Sequence, residues 1–423
     1  MRRHRLTTLV ALPLLAPALA VPMVLAPSAP AAAGPGGSIV YIKDHDVHIA
    51  LPDGSGERAL TADGTAENPW RSPDQATNGT VVAARGTVVY RMDQWGTVLN
   101  SFDPPDAVDN RGDKIGGTVT RTAISPDGSK IAYTFQHYTC PPSGCRDRWV
   151  TAITEADRFV EGHHFAYGYH DHPTWISETK LLLNGIEYDG IQVHTLERGT
   201  LYWFDDSKNV PPFDSTERIA DPALSPDGRL LATVRSEPTY PANHAIVLYD
   251  VEGDVRSEVM PVRPTPLCTF TGGGSFGSPT FAPDGTAVAW HESDGIWRLD
   301  SPRSCSNPRL LIAGGQQPSW SPAALQTSRP TYSFTTGARP GIKGKAKVGK
   351  RLVASAGTWT PAPQKVRYQW LRNGKKIKRA TRPAYRVTKA DRGRRLAVRV
   401  VVTRAGYRPA IGISKPVRVR PGR

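Results

Sequence analysis

The residues best placed to do chemistry are imidazoles in two short clusters. His163, His164, His170, Asp171 and His172 fall within one ten-residue stretch. Imidazole is the commonest metal ligand and an acid–base group near neutral pH, and a neighbouring carboxylate can orient it. His170 and His172 stand two apart, so on an extended segment they point to one side and could share a divalent metal. The second cluster is Asp44-His45-Asp46-x-His48, with His45 and His48 as metal candidates. Apart from such a metal, no cofactor is expected. An enzyme built on these groups needs a His, an acid and a base converging on one point.

Two other patterns carry weaker chemistry. Gly273-Gly274-Ser275-Phe276-Gly277 has the spacing of a nucleophile elbow. An elbow needs a strand before it and a helix after it, and Gly272 and Pro279 supply neither. Asp103, Asp106, Asp109 and Asp113 share a loop with Asn110 and Gly112. Their spacing is not that of an EF-hand, so the expectation is a solvated acidic loop.

Charge divides the chain. Residues 339–423 hold 26 Lys and Arg against one acid, Asp391, whereas residues 1–338 hold 27 against 37 acids. A mildly acidic body is joined to a strongly basic module, which points to two domains with different partners. Lys343, Lys345, Lys347, Lys375, Lys376, Lys378, Arg379, Arg394 and Arg395 are the residues expected to meet a polyanion.

The N-terminus reads as a signal peptide over residues 1–33. Arg2, Arg3 and Arg5 are followed by the apolar stretch Leu9–Ala26 and the small residues Ala31-Ala32-Ala33. No later run is long and apolar enough to span a bilayer, so the mature chain is expected to be secreted and cell-wall associated. In that setting four cysteines favour disulfides. Cys140 and Cys145 enclose a short loop, which leaves Cys268 and Cys305 to pair by elimination.

The elements that must position these groups are marked by a recurring phrase. Ser125-Pro126-Asp127-Gly128, Ser225-Pro226-Asp227-Gly228 and Ala282-Pro283-Asp284-Gly285 each precede an apolar run. Pro presets φ and Asp-Gly accepts φ > 0, so each phrase is a turn between strands. Weaker copies read at Pro69–Asp74, Pro173–Glu178 and Pro318–Pro322. Anchors at Trp70, Ile124, Trp175, Leu224, Phe281 and Trp320 recur every ~40–57 residues, a propeller-blade period.

The reading is therefore all-β: a six-bladed β-propeller over residues 36–323. Its closing blade joins Pro318–Pro322 to Ser38–Ile42, Val47–Leu51 and Glu57–Leu60. The fourth strand of the blade that starts at Ala223 is assigned to Arg256–Met260. In an antiparallel blade the turns after strands one and three share a face, so the Ser-Pro-Asp-Gly turns mark one rim. The long loops gather on the other, which is the expected binding face. Strand parity then puts Cys305 and Cys268 on opposite faces: either that pair does not form, or the strand assignment there is off.

Pro279-Thr280-Phe281-Ala282-Pro283-Asp284-Gly285 through Trp290, then Asp294-Gly295-Ile296-Trp297, resembles the repeat of TolB-like propellers, which are similar in outline to WD-repeat proteins. The resemblance implies a fold more than a task. Members serve as protein-binding scaffolds, as gating domains on peptidases and, occasionally, as lyases with a metal in the central pocket. Gly349–Ala354, Gly357-Thr358-Trp359, Tyr368–Gly374 and Asp391-Arg392-Gly393 resemble the Ig-like repeats of secreted bacterial proteins. That implies a small basic β-sandwich over 339–423, reached by a linker over 324–338, with Trp370 buried and Arg399 facing water.

The leading expectation is an exported, non-enzymatic binding protein. Its propeller takes a protein or glycan on the long-loop face, and its basic module holds an anionic envelope polymer. A nucleic-acid partner is disfavoured, since an exported protein meets envelope polymers first. The alternative is a lyase or hydrolase with its site in the central channel, around His170–His172.

Overall fold

The computed structural model describes residues 36–108, 114–139, 146–160, 163–165, 170–185, 190–205, 218–237, 243–272 and 274–420. Among them, six four-stranded antiparallel sheets are formed between Ser38 and Ser321. Each begins with an inner strand: Trp70–Gln75, Thr118–Ile124, His170–Trp175, Arg218–Leu224, Gly277–Phe281 and Gln316–Ser321. These six strands touch one another in a closed ring, each against the next and the last against the first. That is the arrangement of a β-propeller.

Ring closure is carried by the two ends of the repeat region. Gln316–Ser321 pairs with Ser38–Lys43, which pairs with Asp46–Ala50 and then Arg58–Ala59. Ser38 Oγ also donates to Ala323 O at 2.7 Å. Joining distant segments leaves no sheet edge open between first and last strands.

The turn phrases behave as their residues dictate. The amides of Gly128, Gly228 and Gly285 donate to Ser125, Ser225 and Ala282 carbonyls at 2.8–2.9 Å, with φ of 72–78°. The sheet that starts at Trp70 corrects the expected register. Its turn is Ala76–Gly79, closed by Gly79 N to Ala76 O at 3.0 Å, with Gly79 at φ 85°. Ser72-Pro73-Asp74 lies inside the inner strand, so Gln75, not Trp70, occupies the anchor position.

A second correction concerns the sheet that starts at Arg218. Its fourth strand is Thr265–Thr271, not Arg256–Met260. Pro266 is tolerated there because this outer strand needs no second partner. Cys268 thereby moves from a loop into a strand, and the parity conflict disappears. Cys268 and Cys305 form a disulfide with a Cα–Cα distance of 5.7 Å, tying two neighbouring sheets. Cys140 and Cys145 lie outside the described residues.

Pro35–Arg423 forms one unit. After the propeller, Ala324–Ser328 packs on the turn Asp93–Gly96: Gln94 Nε2 donates to Ala324 O at 3.0 Å, and Trp95 Nε1 to Ser328 O at 3.1 Å. Among the described residues three further sheets follow, the first a pairing of Thr335–Ala338 with Thr358–Thr360. Gly341–Lys343, Arg351–Ser355 and Ala384–Arg386 form the second. Lys375–Lys376, Lys365–Arg372, Arg395–Thr403 and Ala410–Ile413 form the third, with Val417–Arg418 also on Arg395–Thr403. Trp370, Leu352, Val398, Val400 and Val402 are fully buried in their shared core. Asn373 (φ 47°) and Gly374 (φ 80°) make the hairpin turn that Asn-Gly favours.

Candidate functional site

Each inner strand carries a β-bulge near its middle. In five of them the bulged residue is left-handed and followed by proline: Ser72-Pro73, His172-Pro173, Asp221-Pro222, Ser278-Pro279 and Gln317-Pro318, with φ of 47–51°. On the remaining strand Arg121-Thr122 stands at the same distance before the anchor, and the bulge falls one residue earlier, at Thr120. Proline fits because a bulge relieves it of a ladder hydrogen bond. Non-glycine residues at positive φ cost about 1 kcal/mol or more each, so surrounding contacts must hold them.

Those contacts form a belt around the ring centre. Gln317 Oε1 accepts from Ser72 N at 2.6 Å. Ser72 Oγ accepts from Thr122 N at 3.0 Å. Arg121 Nη2 meets His172 Nε2. His172 Nε2 is also 2.7 Å from Asp221 Oδ1, and Asp221 Oδ2 accepts from Ser278 N at 3.0 Å. On its other side, His172 Nδ1 lies 2.9 Å from Asp171 Oδ2 without the alignment of a hydrogen bond. Above the belt, a cavity of about 420 Å³ runs toward the turn face, lined by Trp175, Phe281 and Trp320 and bounded by Pro126, Pro226 and Pro283. The described cavity thus lies on the Ser-Pro-Asp-Gly side, which the sequence reading did not favour.

The electrostatics follow from burial and neighbours. Burial would raise Asp171, but His172 and Arg121 beside it hold its carboxyl at about 2. Burial and the Arg121 charge lower His172, against the pull of Asp171. The same two causes bring His291 down to about 4. Burial pushes Asp74 up, although Ser319 Oγ, Ile124 N and Gln75 N all donate to it at 2.5–2.9 Å. With Nε2 between Asp221 and Arg121, and Nδ1 against Asp171, His172 has no free nitrogen for a substrate. The arrangement is a closed ion cluster that latches inner strands together.

The two imidazole clusters do not meet at the described residues. The bulge breaks the alternation that would put His170 and His172 on one side. His172 joins the belt, whereas His170 leaves a buried Nδ1 without a hydrogen bond and lies near enough to His194 to help burial lower it to about 4. A shared metal between His170 and His172 is therefore not what the geometry builds. His163 and His164 sit on the strand His163–Phe165, opposite Ile153 and Ala152; their side chains lie outside the described set. His45, at φ 71°, is in a hairpin turn, and its carbonyl accepts from Trp70 N at 2.9 Å. His48 Nδ1 is 3.2 Å from Glu57 Oε1. Among the described residues no group of three or more His, Cys, Asp or Glu is arranged to hold a metal.

Ser275 is exposed and leads into the strand Gly277–Phe281, with no helix after it, so no nucleophile elbow forms. Asp109 and Asp113 lie outside the described residues. Lys343, Lys345, Lys347, Lys375, Lys376, Lys378, Arg379, Arg394 and Arg395 are all exposed. Asp391, the one acid of the basic module, is fully buried; it accepts from Arg372 Nε at 2.6 Å and Tyr385 Oη at 2.9 Å. Arg121, Asp221 and His291 were not singled out from sequence. The signal that finds Asp221 is the residue before proline, three before the anchor, which recurs from strand to strand.

No protein-family model matches the chain, and no curated protein matches it. Solved structures do. The Cps50 (Swd1) β-propeller domain of Myceliophteria thermophila is 13% identical over 66% of this chain and 86% of its own, with a TM-score of 0.41. A putative TolB from Agrobacterium tumefaciens is 15% identical over 67% of this chain and 92% of its own, at 0.41. A protein of unknown function from Desulfotomaculum acetoxidans is 8% identical over 68% and 99%, at 0.40. These likenesses are of outline; the fold rests on this chain's own strand pairings. Among the described residues no helix is long and apolar enough to cross a membrane.

Proposed function

We propose that the protein is an exported binding protein whose six sheets are the blades of one propeller and whose C-terminal Ig-like module attaches it to an anionic polymer. One observation carries this reading: the module has 26 Lys and Arg, and its only acidic side chain is fully buried. Such a surface has no internal counter-charge, so it attracts anions with a strength that salt screens. The Cys268–Cys305 disulfide supports an oxidising, extracellular setting. The propeller would then present a protein- or glycan-binding face at that polymer's surface.

Retention of the full-length protein on a matrix carrying a polyanion, eluted by a salt gradient, tests the reading. Elution well above physiological ionic strength is expected. Flow-through at low salt would defeat it.

A further inference from the structure

The outer face of the module's larger sheet has a regular distribution of charge. Trp370, Val398, Val400 and Val402 point into the core, so Arg395, Ala397, Arg399, Val401 and Thr403 point outward. Strand register defines five successive outward rows. Arg395 faces Arg418; Ala397 faces Leu371, both of them buried, and Leu371 faces the exposed Lys376; Arg399 faces Gln369; Val401 faces Arg367; Thr403 faces Lys365. Every row therefore contains a cation. Rows two residues apart are ~6.7 Å apart, so the series runs ~27 Å along the strands.

These charges lack internal partners. Arg367, Lys365, Lys376, Arg395 and Arg418 are exposed and Arg399 is half-buried. Among the described residues none of the six forms an ion pair, and the module's one acid is already taken by Arg372. Arg395 and Arg418 stand directly opposite each other, which is unfavourable unless an anion lies between them.

Resting on the polyanion reading above, we propose that this face is a track for a linear, base-free phosphodiester polymer of the poly(glycerol phosphate) type, laid along the strands. Six backbone bonds separate successive phosphorus atoms in such a chain, which is ~7 Å when extended, by analogy with ~3.5 Å for the three bonds of a peptide residue. One phosphate can then meet each row. Guanidinium groups match phosphate oxygens in pairs. A glycan with one carboxylate per two sugars skips rows. Single-stranded nucleic acid needs aromatic platforms for its bases, and the outward rows contain no aromatic side chain. Exposed Ile411 and Ile413 flank the track and suit a methylene backbone.

The test compares two full-length variants of equal charge: Arg367→Gln/Arg395→Gln/Arg399→Gln on the track, and Arg382→Gln/Arg386→Gln/Lys389→Gln, exposed on and beside the module's three-stranded sheet. Fluorescence anisotropy with a labelled poly(glycerol phosphate) oligomer, at several salt concentrations, reads affinity; thermal melts check folding. The track variant is expected to lose tenfold or more, and its salt slope to fall by about 2, from ~0.7 per phosphate contact. The other variant is expected to stay within about threefold, as charges off the track act only at long range. Equal losses in both would overturn the track while leaving general polyanion binding intact. No binding by the wild type would end both readings. Tighter binding of an oligothymidylate of equal charge would overturn the base-free assignment.

Discussion

The centre of the propeller and the outer face of the C-terminal sheet both carry polar or charged side chains at regularly repeated strand positions. In the centre, opposite charges are brought together: Arg121 and His172 both lie beside Asp171, and His172 lies between Asp171 and Asp221. On the outer face none of the six cations has such a partner. The difference separates two uses of charge. Paired and buried, it fixes geometry that strained backbone alone would not keep. Unpaired and exposed, it contributes little to the fold and leaves attraction for a ligand.

If the belt is a latch, breaking it must cost stability. Asp221→Ala removes the partner of His172 and the acceptor of Ser278 N, leaving polar groups buried and unsatisfied. A loss of about 3 kcal/mol is expected in denaturant unfolding, with affinity for polyanions unchanged. A stability loss below about 1 kcal/mol would make the belt incidental.

The next effect is acid sensitivity. His291 is held at about 4, below the ordinary value near 6.5. As pH falls through 6.5 the unfolded chain takes up a proton that the folded chain refuses until about 4. Stability is therefore full above pH ~6.5 and is lost between ~6.5 and ~4, by about 3 kcal/mol for this group. The module contains no histidine, so the loss belongs to the propeller. His291→Gln should flatten the decline of the melting midpoint over that range; an unchanged slope would remove His291 as its cause.

How much of this was legible depended on alternation. Asp-Gly at 127–128 and 227–228 announced turns because only certain residues accept positive φ there. Where the phrase was degraded, a second proline misled. Ser72-Pro73-Asp74 has the composition of the turn, but Pro73 belongs to the bulge, and Asn78-Gly79 is the true turn. Five of the six inner strands offer a proline at the bulge, and several offer another at the turn. Sequence alone does not say which survives. The bulge also hid the belt. One extra residue reverses every facing beyond it, so His170 and His172 part company and Arg121 and Asp221 converge without any local motif. On Arg395–Thr403, with no bulge against Lys365–Arg372, strict alternation put Arg399 outward as read.

The smallest effect has the opposite sign and is the sharpest test of the contrast. Arg418→Glu places a carboxylate opposite Arg395 in the first row of the outer face. A repulsive cross-strand pair becomes attractive, and the module should gain a few tenths of a kcal/mol. The same change should weaken polyanion binding, since it removes one cation and occupies another. In the belt, removing a charge costs stability and leaves binding alone; on the face, reversing one adds stability and costs binding. Melting and affinity measured on the same preparation decide it. If Arg418→Glu lowered stability, the outer cations would have partners of their own, and the two regions would differ only in exposure.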